Sequence, residues 1–230
     1  MDIVLKKQLV SYLESFITVD RRLRFDQVLR SRTRYLSVLI EDVFQPHNAS
    51  AVLRTCDCFG IQDVHIVENR NEYDVNPDVA LGSSKWVSMY KHNQSHFNTP
   101  EAITSLKQQG YRIIATTPHT DDQLLDELDL SKGKMVLMFG TELNGLTDTA
   151  KSMADEYVKI PMYGFTESFN ISVSASLCLH YLTEKMRKSD INWQLSQEEM
   201  VDVRLKWLNK SVKASDQIVQ KFLEEQGMAL

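Results

Sequence analysis

The chain is poor in the residues that would assign it to several common classes. Its 230 residues include three cysteines, Cys56, Cys58 and Cys178. An odd number does not build a disulfide framework, and a lone Cys-x-Cys without a second Cys/His pair is not a usual zinc spacing. The three read as buried structural thiols, and no metal is expected. No run approaches the ~20 consecutive apolar residues of a membrane span, so no membrane partner is expected. The first stretch, MDIVLKKQLVSYLES, carries Lys6, Lys7 and Glu14 and lacks a small-residue cleavage site, which is unlike a signal peptide and favours a cytoplasmic protein. There is no G-x-G-x-x-G after the first apolar run and no Walker lysine, which argues against dinucleotide-binding and P-loop enzymes. Repeats and low-complexity segments are also missing. Basic charge is in deficit, with 26 Lys and Arg against 31 Asp and Glu, a net −5.

The distribution of charge says more than its total. Residues 1–34 hold eight basic side chains, including Arg21, Arg22, Arg24, Arg30, Arg32 and Arg34, against four acidic ones. A basic head on an acidic body points weakly to a phosphate-bearing partner, although a solvated helix face is the commoner origin of any one charge run. The chain is 43% hydrophobic and 25% charged, ordinary for a globular protein long enough to bury a core without staples.

Eight glycines and five prolines punctuate a clear alternation of elements. Helical periodicity covers 2–16 and 21–31. A buried strand is expected at 35–43. Pro46 then breaks the chain, Asn48 caps, and a helix runs to Phe59, closed by Gly60. Further strands are expected at 63–68, 85–91, 111–117, 134–140 and 156–162, with an irregular stretch over 69–85. A helix over 99–110 has Thr99 as cap and Pro100 in its first turn. A helix follows the turn after Gly140, a long one covers 169–188, and one or two amphipathic helices fill 196–226. Strands alternating with helices predict an α/β fold with a mostly parallel sheet. The domain division expected is 1–34 helical, 35–188 α/β and 189–230 helical. In such sheets ligands bind beyond the carboxyl ends of strands, here after 43, 115, 139 and 160.

Three polar stretches fall at those ends. In HNASAVLR, Asn48 suits a helix cap. Arg54 lies one turn from Ser50 and Ala51, small neighbours that leave it room to reach a loop ligand, but a surface arginine is the simpler reading. In FGTELNGL, Gly140 and Gly145 allow a tight turn with backbone N–H groups exposed, and Glu142 caps a turn or meets an amine. In IPMYGFTESFNIS, Ser168 and Asn170 compete for one capping position at the mouth of a helix, which leaves one of them over.

Together the order and spacing of N-x-x-A-x-x-R, F-G-x-E-x-x-G-L and I-P-M-x-G-x-x-x-S-x-N-x-S-V-x-A-S resemble the three motifs of the SpoU/TrmH-type tRNA ribose 2′-O-methyltransferases, over about Tyr35 to Arg187. The resemblance implies an α/β domain with a C-terminal trefoil knot, a homodimer, and S-adenosylmethionine held by loops around Thr116, Gly140 and from Ile160 through Met162 to Phe169. It implies catalytic roles for Arg54, Asn48, Ser168, Asn170 and Glu142. It also implies tRNA as partner, contacted by the six arginines of residues 1–34 with His47 and Lys85, joined by Lys185, Arg187 and Lys188. The flanking helices look like those of the TrmH branch, which methylates the D-loop guanosine at tRNA position 18. Ribosomal RNA or another tRNA nucleotide is the alternative target, and a non-catalytic knotted RNA-binding protein a remoter one. The small residues Ser172, Ser174, Ala175 and Ser176 would allow close helix approach in a dimer. Ser50 and Phe169 stand where Gly and Leu are usual in relatives.

Overall fold

The computed structural model describes residues 1–118, 122–141 and 144–227, and the chain divides into two compact units. Thr33–Trp193 form one; Met1–Arg32 and Gln194–Leu230 form the other. Both chain ends, expected as separate extensions, therefore meet in a single helical unit.

The larger unit is built on a parallel sheet. Its strands are β1 (Leu36–Glu41), β2 (Asp63–Val67), β3 (Ser88–His92), β4 (Arg112–Thr116), β5 (Gln123–Leu124), β6 (Met135–Phe139) and β7 (Glu156–Lys159). Among the described residues they form one seven-stranded sheet, ordered β3-β2-β1-β6-β4-β7-β5, with every pairing parallel. The two-residue β5 was not anticipated, being too short to show a period. The central pair is in register Val38↔Leu137 and Ile40↔Phe139. Successive side chains of a strand point to opposite faces. Leu36, Val38 and Ile40 accordingly join one core with helices α3 (Pro46–Phe59) and α7 (Ile171–Arg187), while Leu39 joins a second core with α5 (Thr99–Gln108). Both faces being covered explains why β1, β2 and β6 are buried throughout.

Two helix starts differ from expectation. Pro46 does not break the chain; it occupies the first turn of α3, where a missing N–H costs nothing. Asn48 consequently lies inside the helix, buried, instead of capping it. Thr99 is the first residue of α5, and its hydroxyl turns away to Glu41. Within 69–85 the chain forms a short turn of helix, α4 (Pro77–Ala80), tied back by Ser50. The Ser50 hydroxyl pairs with the Tyr73 hydroxyl at 2.9 Å and accepts the Asn76 N–H at 2.9 Å, which accounts for a hydroxyl at this position. A short α6 (Asp148–Ser152) precedes β7.

The smaller unit packs α1 (Ile3–Glu14), α2 (Val19–Leu29), α8 (Gln197–Ser211) and α9 (Ser215–Glu225). Its contacts include Phe25 on Trp207, with ring centroids 5.3 Å apart, and Tyr12 on Phe222 at 5.2 Å. Arg204 of α8 bonds both Glu14 and Asp26, and Lys6 pairs with Asp202 at 2.7 Å. A Ser196–Glu199 capping box starts α8. Among the described residues no helix is long and apolar enough to cross a membrane.

Candidate active site

The carboxyl ends of β4, β6 and β7 surround a cleft of about 330 Å³. Its lining includes Thr116, Gly140, Ile160, Met162 and Phe169, all five residues expected to hold a donor, together with Ser168. The floor is apolar, with Phe139, Val158, Ile171 and Cys178. Burial pushes the Cys178 thiol up to about 12, so it is an inert part of this floor. Cys56 is buried as expected, but Cys58 is exposed.

The wall after β6 depends on Gly140. A Cβ there would lie 2.1 Å from the Gly145 carbonyl carbon and 2.2 Å from the Leu146 nitrogen. Only a residue without one permits the two-way pairing of Thr141 and Gly145, at 3.0 and 2.9 Å. Glu142 lies outside the described residues. Across the cleft the Thr116 hydroxyl donates to the Met138 carbonyl at 2.7 Å, fixing the end of β4 against β6.

Ser168 and Asn170 divide the work the sequence left ambiguous. Asn170 caps α7, accepting the Ser172 N–H at 2.9 Å and the Ser172 hydroxyl at 2.6 Å. Its amide also donates to Asn48 Oδ1 at 3.2 Å, and the Asn48 amide donates to Gln45 at 3.2 Å. The first and third motifs, 122 residues apart, thus meet side chain to side chain. Ser168 makes no cap and faces the cleft.

Arg54 is exposed on α3 and does not line the cleft. Among the described residues no hydrogen bond or ion pair engages its guanidinium. The small residues of α7 are used within the chain: Ala175 is buried in the core, and Ser176 lies 3.3 Å from the Thr55 hydroxyl of α3. Ala175 and Ser176 thus serve the packing of α7 on α3. The large apolar side chains that α7 leaves exposed are Val173, Leu177 and Tyr181, in line with Phe169 at intervals of four residues.

The expected phosphate contacts separate into two groups. Arg21, Arg22, Arg24 and Arg30 are exposed on or beside α2, as are His47 and Lys85 in the larger unit. Arg32, by contrast, is 2% exposed and stacks 5.4 Å over Trp207, and Arg34 pairs with the buried Asp63 at 2.9 Å. Lys185 donates to the Asp126 and Leu128 carbonyls, and Arg187 donates to the Phe59 carbonyl. Those four are structural, because charge runs in sequence do not reveal which members turn inward.

Two residues with organising roles went unnoticed in the sequence. Glu41 ends β1 and Asp42 follows it, and both are buried. Asp42, at φ 52°, accepts the backbone N–H groups of Asn69, Arg70 and Asn71 at 3.2, 2.7 and 2.9 Å. Glu41 accepts from Thr99 and Thr147. Two adjacent carboxylates inside YLSVLIEDV were the available signal.

A ligand cleft at the carboxyl edge of a parallel sheet, walled by the loop after β4 and by the loops that carry the second and third motifs, defines the class. The chain belongs to the SpoU rRNA methylase family, whose model matches residues 35–180. It is 43% identical over 212 residues to a tRNA (guanosine(18)-2′-O)-methyltransferase of Borreliella burgdorferi, covering 92% of this chain and 94% of that protein. To the enzyme of that name from Thermus thermophilus it is 36% identical over 195 residues, 84% of this chain and 98% of the other. Among solved structures, the A. aeolicus TrmH/SpoU tRNA modifying enzyme superposes with a TM-score of 0.74 at 28% identity, over 92% of this chain and all of that one.

Proposed function

We infer that the protein is an RNA ribose 2′-O-methyltransferase that uses S-adenosylmethionine and acts on the guanosine at tRNA position 18. The observation that carries this is the similarity to the Borreliella burgdorferi enzyme over nearly the full length of both chains. The cleft fits the donor chemically. Its apolar floor suits an adenine, Gly140 and Gly145 bring backbone groups to the lining, and Glu167 offers a carboxylate to a cationic ligand. When bound, S-adenosylmethionine supplies a methyl group already activated on a sulfonium.

The chain's own task is to align the ribose hydroxyl and stabilise its charge. A guanidinium keeps its proton at neutral pH, so Arg54 serves by holding the adjacent phosphate and the alkoxide as it develops. Asn48 and Asn170 fix the junction of the first and third motifs, Ser168 faces the cleft, and Glu142 completes the set by resemblance. Arg21, Arg22, Arg24, Arg30, His47 and Lys85 contact tRNA phosphates. Such contacts position the substrate without reading its sequence. The trefoil knot and the cytoplasmic homodimer belong to this proposal. The exposed line Phe169, Val173, Leu177 and Tyr181 supports a dimer built on α7.

The test is transfer of labelled methyl from S-adenosylmethionine to unmodified tRNA transcripts, with the product mapped by nuclease digestion. Label on the D-loop guanosine is expected. Label confined to ribosomal RNA would transfer the reading to that substrate, and no transfer to either would overturn it.

A further inference from the structure

We propose that Glu41 is the positioning residue of the donor cleft, its buried carboxylate fixing the wall that follows β6. The proposal rests on the reading of that cleft as the S-adenosylmethionine site. Glu41 ends β1 at 1% exposure, where an unpaired carboxylate would be costly. Among the described residues it is satisfied without a cation. Oε1 accepts the Thr99 hydroxyl at 2.6 Å and the Thr147 hydroxyl at 2.8 Å, and Oε2 accepts the Thr147 N–H at 2.9 Å.

The partners leave little freedom in this arrangement. The Thr99 hydroxyl already accepts the Asn69 amide at 2.9 Å, and the Thr147 hydroxyl accepts the Ala150 N–H at 3.1 Å. The proton of each hydroxyl is therefore directed at Glu41, which suits an acceptor-only carboxylate. Hydrogen bonds to an ionised acceptor are the stronger kind.

The bonds to Thr147 act on the cleft. Asn144, Gly145 and Leu146, immediately before it, line the cleft. One arm of this wall is fixed by the Thr141–Gly145 pairing; the other is fixed by Thr147 on Glu41. Thr99 opens α5, so the same carboxylate joins the wall to a strand and a helix that are both rigidly packed. An apolar side chain would fill a buried strand end at lower cost. The carboxylate instead specifies where Thr147, and with it the wall, must stand.

Glu41→Gln replaces one acceptor oxygen with an amide that faces donors. Calorimetric binding of S-adenosylmethionine should weaken about tenfold, the loss of a charge-assisted bond at a distance. The turnover at saturating donor and the KM for tRNA should stay within about twofold. Thr147→Val keeps the N–H bond and should weaken donor binding in the same direction but less; it also keeps the test open if Glu41→Gln folds poorly. The double variant should weaken binding by less than the sum of the two single effects, because both disturb the Glu41–Thr147 contact. Unchanged donor affinity in both single variants would overturn the role. So would a lowered melting temperature with donor and tRNA constants worsened alike, since that describes a merely structural carboxylate. If the wild-type protein binds no S-adenosylmethionine, the cleft reading itself falls and this role with it.

Discussion

The two walls of the cleft are built differently. The wall after β6 is held at both arms, by the Gly140 close approach with the Thr141–Gly145 pairing and by Thr147 on Glu41. The wall after β7 is open. Tyr163 is 95% exposed and Phe165 fully so, and the chain is secured at Asn170, where the α7 cap and the Asn48 bond coincide. One wall is organised in the isolated chain by its own hydrogen bonds. The other presents large apolar side chains to solvent, an arrangement that single soluble chains rarely keep uncovered. On the proposed function, the first wall would hold the donor, and a second copy docked on α7 would cover the apolar side chains beside the second.

The largest expected effect leaves both walls intact. Arg54→Ala should lower turnover at least ~100-fold, the scale on which removing a charge-stabilising donor acts. Donor binding and melting temperature should be unchanged, and retained turnover would remove Arg54 from the chemistry. Next, Gly140→Ala attacks the fixed wall. Its Cβ has no room beside Gly145 and Leu146, so calorimetry should find donor binding lost, with stability lower by about 1–3 kcal/mol as for other overpacked sites. Binding at the wild-type level would mean that this wall yields easily.

The open wall is tested by Leu177→Asp, a charge placed in the exposed line of α7. Light scattering should show a dimer become a monomer, with donor binding reduced less than in Gly140→Ala. A variant that stays dimeric would place the interface elsewhere. Replacing Arg21, Arg22 and Arg24 with Ala should touch neither wall. It should weaken tRNA binding and flatten its salt dependence by about two to three units of log–log slope.

The effect smallest at neutral pH lies at the β3 edge of the sheet. His65 stacks on Tyr90, with its Nδ1 3.1 Å from His92 Nε2. Burial, and secondarily His92, lower its pKa to about 3. The unfolded chain therefore binds more protons below the ordinary histidine value of 6.5. Stability should be complete above that value and decline as pH falls toward 3, a decline that His65→Phe should lessen in acid melts. Its persistence in that variant would assign the loss to other groups.

The sequence alone was enough for the alternation of strands and helices, because the apolar runs ending in Gly60, Gly110 and Gly140 are local signals. It was also enough for the three motifs, whose spacing lies along the chain. Element starts were less legible. Pro46 and Thr99 carry the same local chemistry whether they precede a helix or open it, and only the packing of α3 and α5 on the sheet chose. The fate of each arginine was invisible for a similar reason: Arg30 and Arg32 share a basic run, yet one is exposed and the other buried on Trp207. The meeting of Asn48 with Asn170, and the reach of Glu41 to Thr147, span more than a hundred residues. Composition and periodicity record only what neighbours in sequence do, so contacts at that separation were decided by the parallel sheet, which brings its strand ends and their loops to one edge.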